Sequence, residues 1–446
     1  MVEILIRYLG IKTKLLTYIR DEINRITSPD EGVLDLFAGS NSVAQFLLQD
    51  HPIFTNDYQK YSETVSKALI EFHDKKIVDS LSVEKVFGAY YLNNKNKLLE
   101  IFEKPLTFER EILNKIGTDY KGSNFEDFID FFNNSPYVGH IDNKHKSFAD
   151  CLSYFDEKNI KSYRDNNNKF PYLLFSTFFN NPYFSLLQCV EIDSIKYSID
   201  TLFTKNEISE AEYNIYISFL IYTLNLIVIS VGDHFAQPQK IKELSPDSSN
   251  PRDKIYLRER KKIITKKKID ITELFNEKLV EFKNNYKAGN KNNKAFSMNA
   301  LDLLQSNLLD NLMIKTVYID PPYTNAHYSR FYHIPETLTL YDYPKIEFFG
   351  RYRTDRYQSN FCIKTQAYGE FKTMLELCNN KHMNTVISYS NTEQCILKID
   401  DLIQICNSAY GNENVTINNI EHLYRNFGQK PNKIFAKEYL ITCIAR

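Results

Sequence analysis

Three short segments of this chain carry residue types that could act together on a ligand: Arg7 to Leu16 (RYLGIKTKLL), Val33 to Ala44 (VLDLFAGSNSVA) and Val317 to Tyr323 (VYIDPPY). The second reads as a strand ending in a tight turn that opens a helix. Gly39 has no Cβ, so a ligand can lie against the backbone there, and the first N–H groups of the following helix face the same spot. Asp57 stands about twenty residues further on, at the end of the next apolar run, where a carboxylate can accept hydrogen bonds from the vicinal hydroxyls of a ribose. The third segment ends in Asp320-Pro321-Pro322-Tyr323. Two prolines after a buried strand remove two backbone donors and fix φ twice. The result is a rigid corner that presents a carboxylate, main-chain carbonyls and an aromatic face. Such a corner suits an exocyclic amine on a flat ring, with acceptors on the N–H hydrogens and Tyr323 stacked on the base.

The elements that must position these residues can be read from periodicity. Leu15, Leu16, Ile19, Ile23 and Ile26 recur at helical spacing. Ser28-Pro29-Asp30-Glu31-Gly32 then breaks the chain. Val33 to Phe37 is a short apolar run suited to a parallel strand buried on both faces. Ser42 to Gln49 resumes a helical pattern, and Pro52 to Asp57 reads as the next strand. This is the opening of a doubly wound α/β sheet. From about residue 76 strand signals fade and Tyr, Phe, Asn and Lys dominate. Strand patterns return at Thr316 to Ile319, Thr385 to Ser390, Val415 to Leu423 and Glu438 to Ala445. The simplest architecture is one discontinuous α/β domain, residues 1–75 and 295–446, interrupted by a mainly helical insertion at 76–294.

The chain has 446 residues, enough for two or three domains or for one domain with a large insertion. Its 55 Lys and Arg balance 56 Asp and Glu, so any polyanion must be met by local charge. Such charge gathers in Lys240 to Lys294, which holds 16 basic against 8 acidic residues and is densest at Arg252 to Lys268. Seven cysteines without a C-x-x-C pair argue against a disulfide framework or a zinc ribbon and fit a reducing cytosol. The histidines show no metal-ligand spacing, so no metal is expected. Arg7, Lys12 and Lys14 leave no apolar core for a secretory signal. Ile215 to Val231 is free of charge but only 17 residues long, in a chain of mean hydropathy −0.41. Spanning a membrane takes about 20 apolar residues, so a buried helix is expected there.

Taken together, RYLGIKTKLL, DLFAGS and DPPY in this order resemble the N6-adenine-specific DNA methyltransferases of the Dam type, the D12 class. The order matches their alpha arrangement: cofactor segment, FxG turn, acidic residue after the second strand, target-recognition insertion, then DPPY. The likeness covers about residues 4–60 and 296–446, and the insertion only by position. It implies a Rossmann-like methyltransferase sheet with an inserted target-recognition and DNA-binding region. It also implies S-adenosyl-L-methionine as cofactor, contacted by Tyr8 and Lys12. Asp35, Phe37, Ala38 and Gly39 would form the methionine-side pocket and Asp57 would bind the ribose. Asp320, Pro321, Pro322 and Tyr323 would be the catalytic corner, with Asp320 between cofactor and target adenine. The chain departs from the family pattern at Asn41, where a second glycine is common; Asn tolerates positive φ better than most residues. It departs again at Met298-Asn299-Ala300, where an acidic residue is common, and Asn299 or Asp302 is the available substitute.

The expected reaction is methylation of N6 of an adenine flipped out of duplex DNA. A cognate restriction endonuclease would be the genetic partner in a restriction–modification system, an orphan or phage enzyme being the alternative. The enzyme would work as a monomer, away from membranes, in the cytoplasm of a prokaryotic cell or as a phage-encoded protein. Tyr328, Arg330, Tyr332 and His333 after DPPY, Arg351, Arg353 and Arg356 in GRYRTDR, and Arg258, Arg260 and Lys261 in the basic run are the candidate DNA contacts. Asp233 to Gln237 (DHFAQ) is a polar cluster with no assigned role. DPPY also permits N4 of cytosine or RNA as substrate. A non-catalytic recognition subunit on the same scaffold is the remaining alternative.

Overall fold

The computed structural model describes residues 15–446 except 73, 139, 141–143, 153–158, 160, 164–170, 246–249, 287–291, 323, 326 and 426–432. Tyr8, Lys12 and Tyr323 therefore lie outside the described residues. Among those described, the strands in chain order are β1 Gly32–Asp35, β2 Ile53–Asn56, β3 Lys294–Phe296, β4 Ile314–Ile319, β5 Ile346–Glu347, β6 Tyr352–Arg353, β7 Asn384–Asn391, β8 Val415–Arg425 and β9 Lys433–Cys443.

Seven of these strands form one sheet in the order β3-β2-β1-β4-β7-β9-β8. The first five run parallel, and β9 is antiparallel to both β7 and β8. Side chains alternate along each strand, so the two faces bury different sets. Val33, Tyr318, Val386 and Leu440 join Leu16, Ile19 and Ile23 of the helix α1 (Leu16–Ile26) and Val43, Ala44 and Leu47 of α2 (Ser42–Leu47). Leu34, Val317, Ile319, Ile387 and Ile441 pack on the opposite side against Leu303, Phe371, Met374 and Leu402. Apolar residues at both parities are what a parallel strand covered on both faces requires. β3 was not legible, since only Lys294-Ala295-Phe296 makes the strand.

The chain divides into two units. The first comprises 1–75, 287–331 and 356–446 and contains the seven-stranded sheet; the second comprises 76–286 and 332–355. The sequence reading gave the second unit one continuous segment, whereas 332–355 also belongs to it. Tyr332 and His333, expected to be free for DNA, are fully buried there. His333 Nε2 lies 3.1 Å from the Phe235 carbonyl, and Tyr341 Oη donates to buried Asp193 at 2.6 Å. Asp193 accepts further bonds from the Phe175 and Ser176 amides.

Two long helices of the second unit, Leu186–Thr204 and Glu210–Ile227, begin with capping boxes at Ser185/Gln188 and Ser209/Glu212. The uncharged stretch from Ile215 ends the latter helix, whose interior positions are buried. Among the described residues no helix is long and apolar enough to cross a membrane. The Asp233 to Gln237 cluster is structural. Asp233 sits at positive φ and receives Lys262 and Lys266 at 2.7 and 3.0 Å. The carbonyls of Phe235 and Ala236 meet His333 and the Tyr352 hydroxyl, clasping the returning segment.

Candidate active site

The first unit places its acidic residues by strand geometry. β1 ends at Asp35, Asp57 directly follows β2, and Asp320 directly follows β4. These strands are neighbours in the order β2-β1-β4, so three carboxylates converge at one carboxyl edge. β1 is also where the chain order reverses, the position at which open α/β sheets take their ligands. A cleft opens there, lined by Asp35, Asp57 and Asp320 from the three strand ends.

The turn after β1 is held by a closed set of hydrogen bonds. Gly39 and Asn41 both adopt positive φ, 49° and 61°, so the asparagine does take the glycine-like conformation. Asn41 accepts from Ser66 Oγ at 2.5 Å, while Ser62 Oγ donates to the Gly39 carbonyl at 2.8 Å. Asp57 accepts from the amides of Gly39 (3.0 Å) and Gln59 (2.9 Å). Asn56 donates to the carbonyls of Leu36 and Met298, tying β1 and β2 to the segment after β3.

Burial and mutual repulsion make this edge electrostatically tense. Asp35 is 3% exposed, and its Oδ1 has no hydrogen-bond partner among the described residues. Burial above all, then the charges of Asp320 and Asp57, push the Asp35 carboxyl up to about 8. Burial likewise raises Asp57 to about 6, against the pull of its backbone donors. A cation arriving here would favour the ionised forms of Asp35 and Asp57.

Of the residues expected at the site, Asp35, Phe37, Ala38, Asp57, Asp320 and Pro322 line this cleft. Gly39 acts through its amide on Asp57. Pro321 is buried and is not part of the lining. Asn299 does not line it either: it caps the helix Ala300–Gln305 through Leu301 N and donates to Tyr357 Oη at 3.3 Å. Tyr328 lines the cleft, and Arg330 is exposed. Sequence reasoning missed Tyr58, Gln59, His327 and the strap Tyr357, Ser359 and Phe361. Tyr58 and Gln59 were findable, being next to Asp57. The strap carries no motif. Tyr58 and Tyr357 stack with centroids 3.7 Å apart and planes 15° from parallel.

The candidate DNA-contacting arginines separate sharply. Arg351 is fully buried, donates to the carbonyls of Phe178 and Asn180, and lies 4.3 Å over the Tyr137 ring. Arg353 forks onto Asp342 with both bonds at 2.7 Å and also pairs with Asp355. Arg260 donates to the carbonyls of Tyr120 and Lys242. These three hold the second unit together and are withdrawn as phosphate contacts. Arg258 and Lys261 are exposed on the helix Pro251–Lys267. With Lys254 and Lys268 they form a stripe at spacings of four, three and seven, one face of a helix. None of the four has a side-chain hydrogen bond or ion pair among the described residues.

Comparison with known proteins bears on this arrangement. Residues 8–190 match the family model for D12 class N6 adenine-specific DNA methyltransferase. The modification methylase LlaI of Lactococcus lactis subsp. lactis is 25% identical over 406 residues, covering 90% of this chain and 48% of that protein. The type II methyltransferase M.FokI of Planomicrobium okeanokoites is 23% identical, covering 86% of this chain and 44% of its own length. The modification methylase StsI of Streptococcus sanguinis is also 23% identical, with 90% and 46% covered. This chain thus spans about half the length of the curated relatives it matches. Over residues 8–190, which include the first two of the three segments, the chain is similar to the D12 class.

Proposed function

We propose that this relative of the D12 class is an S-adenosylmethionine-dependent methyltransferase that modifies N6 of adenine in duplex DNA. One observation carries the reading: three carboxylates meet at the ends of adjacent parallel strands, and one buried oxygen of Asp35 is left without a partner. That donor set fits a ligand with positive charge, a ribose and a flat base. S-Adenosylmethionine, when bound, supplies an electrophilic methyl carbon on a cationic sulfur. Asp35 would face its positive charge, and Asp57 would take the ribose hydroxyls with the oxygen lone pairs its backbone donors leave open. Tyr58 offers a half-exposed aromatic face beside it. Tyr8 and Lys12 are proposed to complete the pocket.

The chain's work on the substrate falls to the acidic–diproline corner. The N6 lone pair of adenine is delocalised into the ring, so the amine is a weak nucleophile. Asp320 and the Pro321 carbonyl would accept hydrogen bonds from the two N6–H groups, favour the pyramidal amine and stabilise the charge that develops on it. The N6–CH3 bond would form as the S–CH3 bond breaks, with the thioether as leaving group and one N6 proton released to solvent. Holding the amine in line with the methyl carbon supplies much of the remaining acceleration. The base must leave the helix to reach the corner, and Tyr323 would restore stacking of about 1–3 kcal/mol.

The second unit is proposed as the target-recognition region, its unpaired stripe Lys254, Arg258, Lys261 and Lys268 tracking the DNA backbone. The names of the relatives support a place as the modification member of a restriction–modification pair in a bacterial cytoplasm. Transfer of labelled methyl groups from S-adenosylmethionine to DNA, followed by chromatography of the digested nucleosides, tests the proposal. Asp320→Ala should abolish label in N6-methyl-2′-deoxyadenosine while the protein stays folded. Undiminished transfer in that variant, or label found only in cytosine or RNA, would refute it.

A further inference from the structure

One cation of the GRYRTDR segment escapes the internal pairing of its neighbours. Arg353 and Arg351 are engaged within the second unit, whereas Arg356 belongs to the first. Its Nη1 is buried and has no hydrogen-bond partner among the described residues. His327, which lines the cleft, has a buried Nδ1 in the same condition. The segments that carry them are joined where Ser329 Oγ donates to the Tyr357 carbonyl at 2.5 Å, and the Arg356 charge acts on the His327 ring. A charged donor and a neutral ring nitrogen, both desolvated and both without a partner among the described residues, form an incomplete site. Burial and the nearby Arg356 charge lower the His327 pKa, so the imidazole is neutral and can offer a single N–H.

Resting on the DNA-methyltransferase reading, we propose that Arg356 and His327 together grip a phosphodiester next to the flipped adenosine. A guanidinium matches two phosphate oxygens with its planar fork, and an imidazole N–H takes a third bond. The placement favours the target strand over the cofactor. His327 stands seven residues beyond Asp320 on the wall of the same cleft, and a base delivered to Asp320 brings its flanking phosphates to that wall. A cofactor carboxylate is the competing anion.

The experiment uses the 446-residue chain and a synthetic duplex carrying a site at which the wild-type protein methylates DNA. Losing one phosphate contact removes about 0.9 from the slope of log K against log salt, equivalent to about an eightfold loss at 0.1 M. Arg356→Gln should show that loss with S-adenosylmethionine affinity intact, and Arg356→Lys should regain the slope. Replacing the flanking phosphates one at a time by neutral methylphosphonate should cost wild type about eightfold at one position. The Gln variant should be indifferent to that replacement. A full salt slope in Arg356→Gln, or wild-type indifference at every flanking phosphate, overturns the proposal. So does a loss confined to S-adenosylmethionine affinity, which would identify the anion as the cofactor's carboxylate. Absence of methylation by the wild-type chain would instead fail the functional reading itself.

Discussion

Asp35→Asn should make the ligand-free protein more stable at neutral pH and a worse binder of S-adenosylmethionine. The carboxyl titrates near 3.8 when unfolded and near 8 in the folded protein. A folded-state pKa above the unfolded one means that the native state holds its proton more tightly. The associated stability is complete below about pH 4 and is lost as pH rises towards 8, at about 1.4 kcal/mol per pH unit. Asp57, raised to about 6, contributes the same trend only up to that pH. Between pH 6 and 7.5 Asp35 therefore acts without it, and wild type should lose about 2 kcal/mol that the asparagine variant keeps. Other titrating groups are common to both proteins and cancel in the difference. Urea unfolding at the two pH values reads this directly. Calorimetry should show cofactor affinity weakened about tenfold or more, the scale of a lost hydrogen bond to a charged group. Wild-type binding should also release protons near pH 7, because a cation beside Asp35 favours its ionised form. Parallel stability curves for the two proteins, or equal cofactor affinity, would refute the electrostatic account of this pocket.

Neutralising Lys254, Arg258, Lys261 and Lys268 to Gln should lower the salt slope of DNA binding by up to about 3.6, since each phosphate contact is worth about 0.9. An unchanged slope removes that helix from the interface. Arg351→Ala should act on folding, leaving the carbonyls of Phe178 and Asn180 without their donor. A loss of about 3 kcal/mol or more in denaturant unfolding is expected, and a variant of wild-type stability that merely binds DNA less tightly would contradict the structure.

The legible part of this molecule is the part set by local rules. Strands β1, β2, β4 and β7 announce themselves as apolar runs bounded by turns, and the converging carboxylates follow from where those runs stop. Asn41 could be read as a glycine substitute because positive φ is a property of one residue. β3 could not be read, because three residues carry no period. The return of 332–355 to the second unit was equally hidden. Tyr332 and His333 look like exposed polar aromatics in sequence, and only the Phe235 carbonyl and the rings of Phe179, Tyr183 and Tyr352 around His333 show them to be core.

The arginines of GRYRTDR show why charge alone misleads. In sequence, Arg351, Arg353 and Arg356 are equivalent members of a cationic patch. What separates them is the supply of acceptors. Phe178 ends a short helix and Asn180 lies just beyond it, and Arg351 is drawn inside to donate to both carbonyls. Asp342 and Asp355 flank Arg353 at a distance that suits its fork. Among the described residues Arg356 Nη1 meets neither a helix end nor a carboxylate, so it keeps its capacity to bind. An arginine becomes available to a nucleic acid when the fold leaves it without an acceptor, and that condition is fixed by residues far away in the sequence.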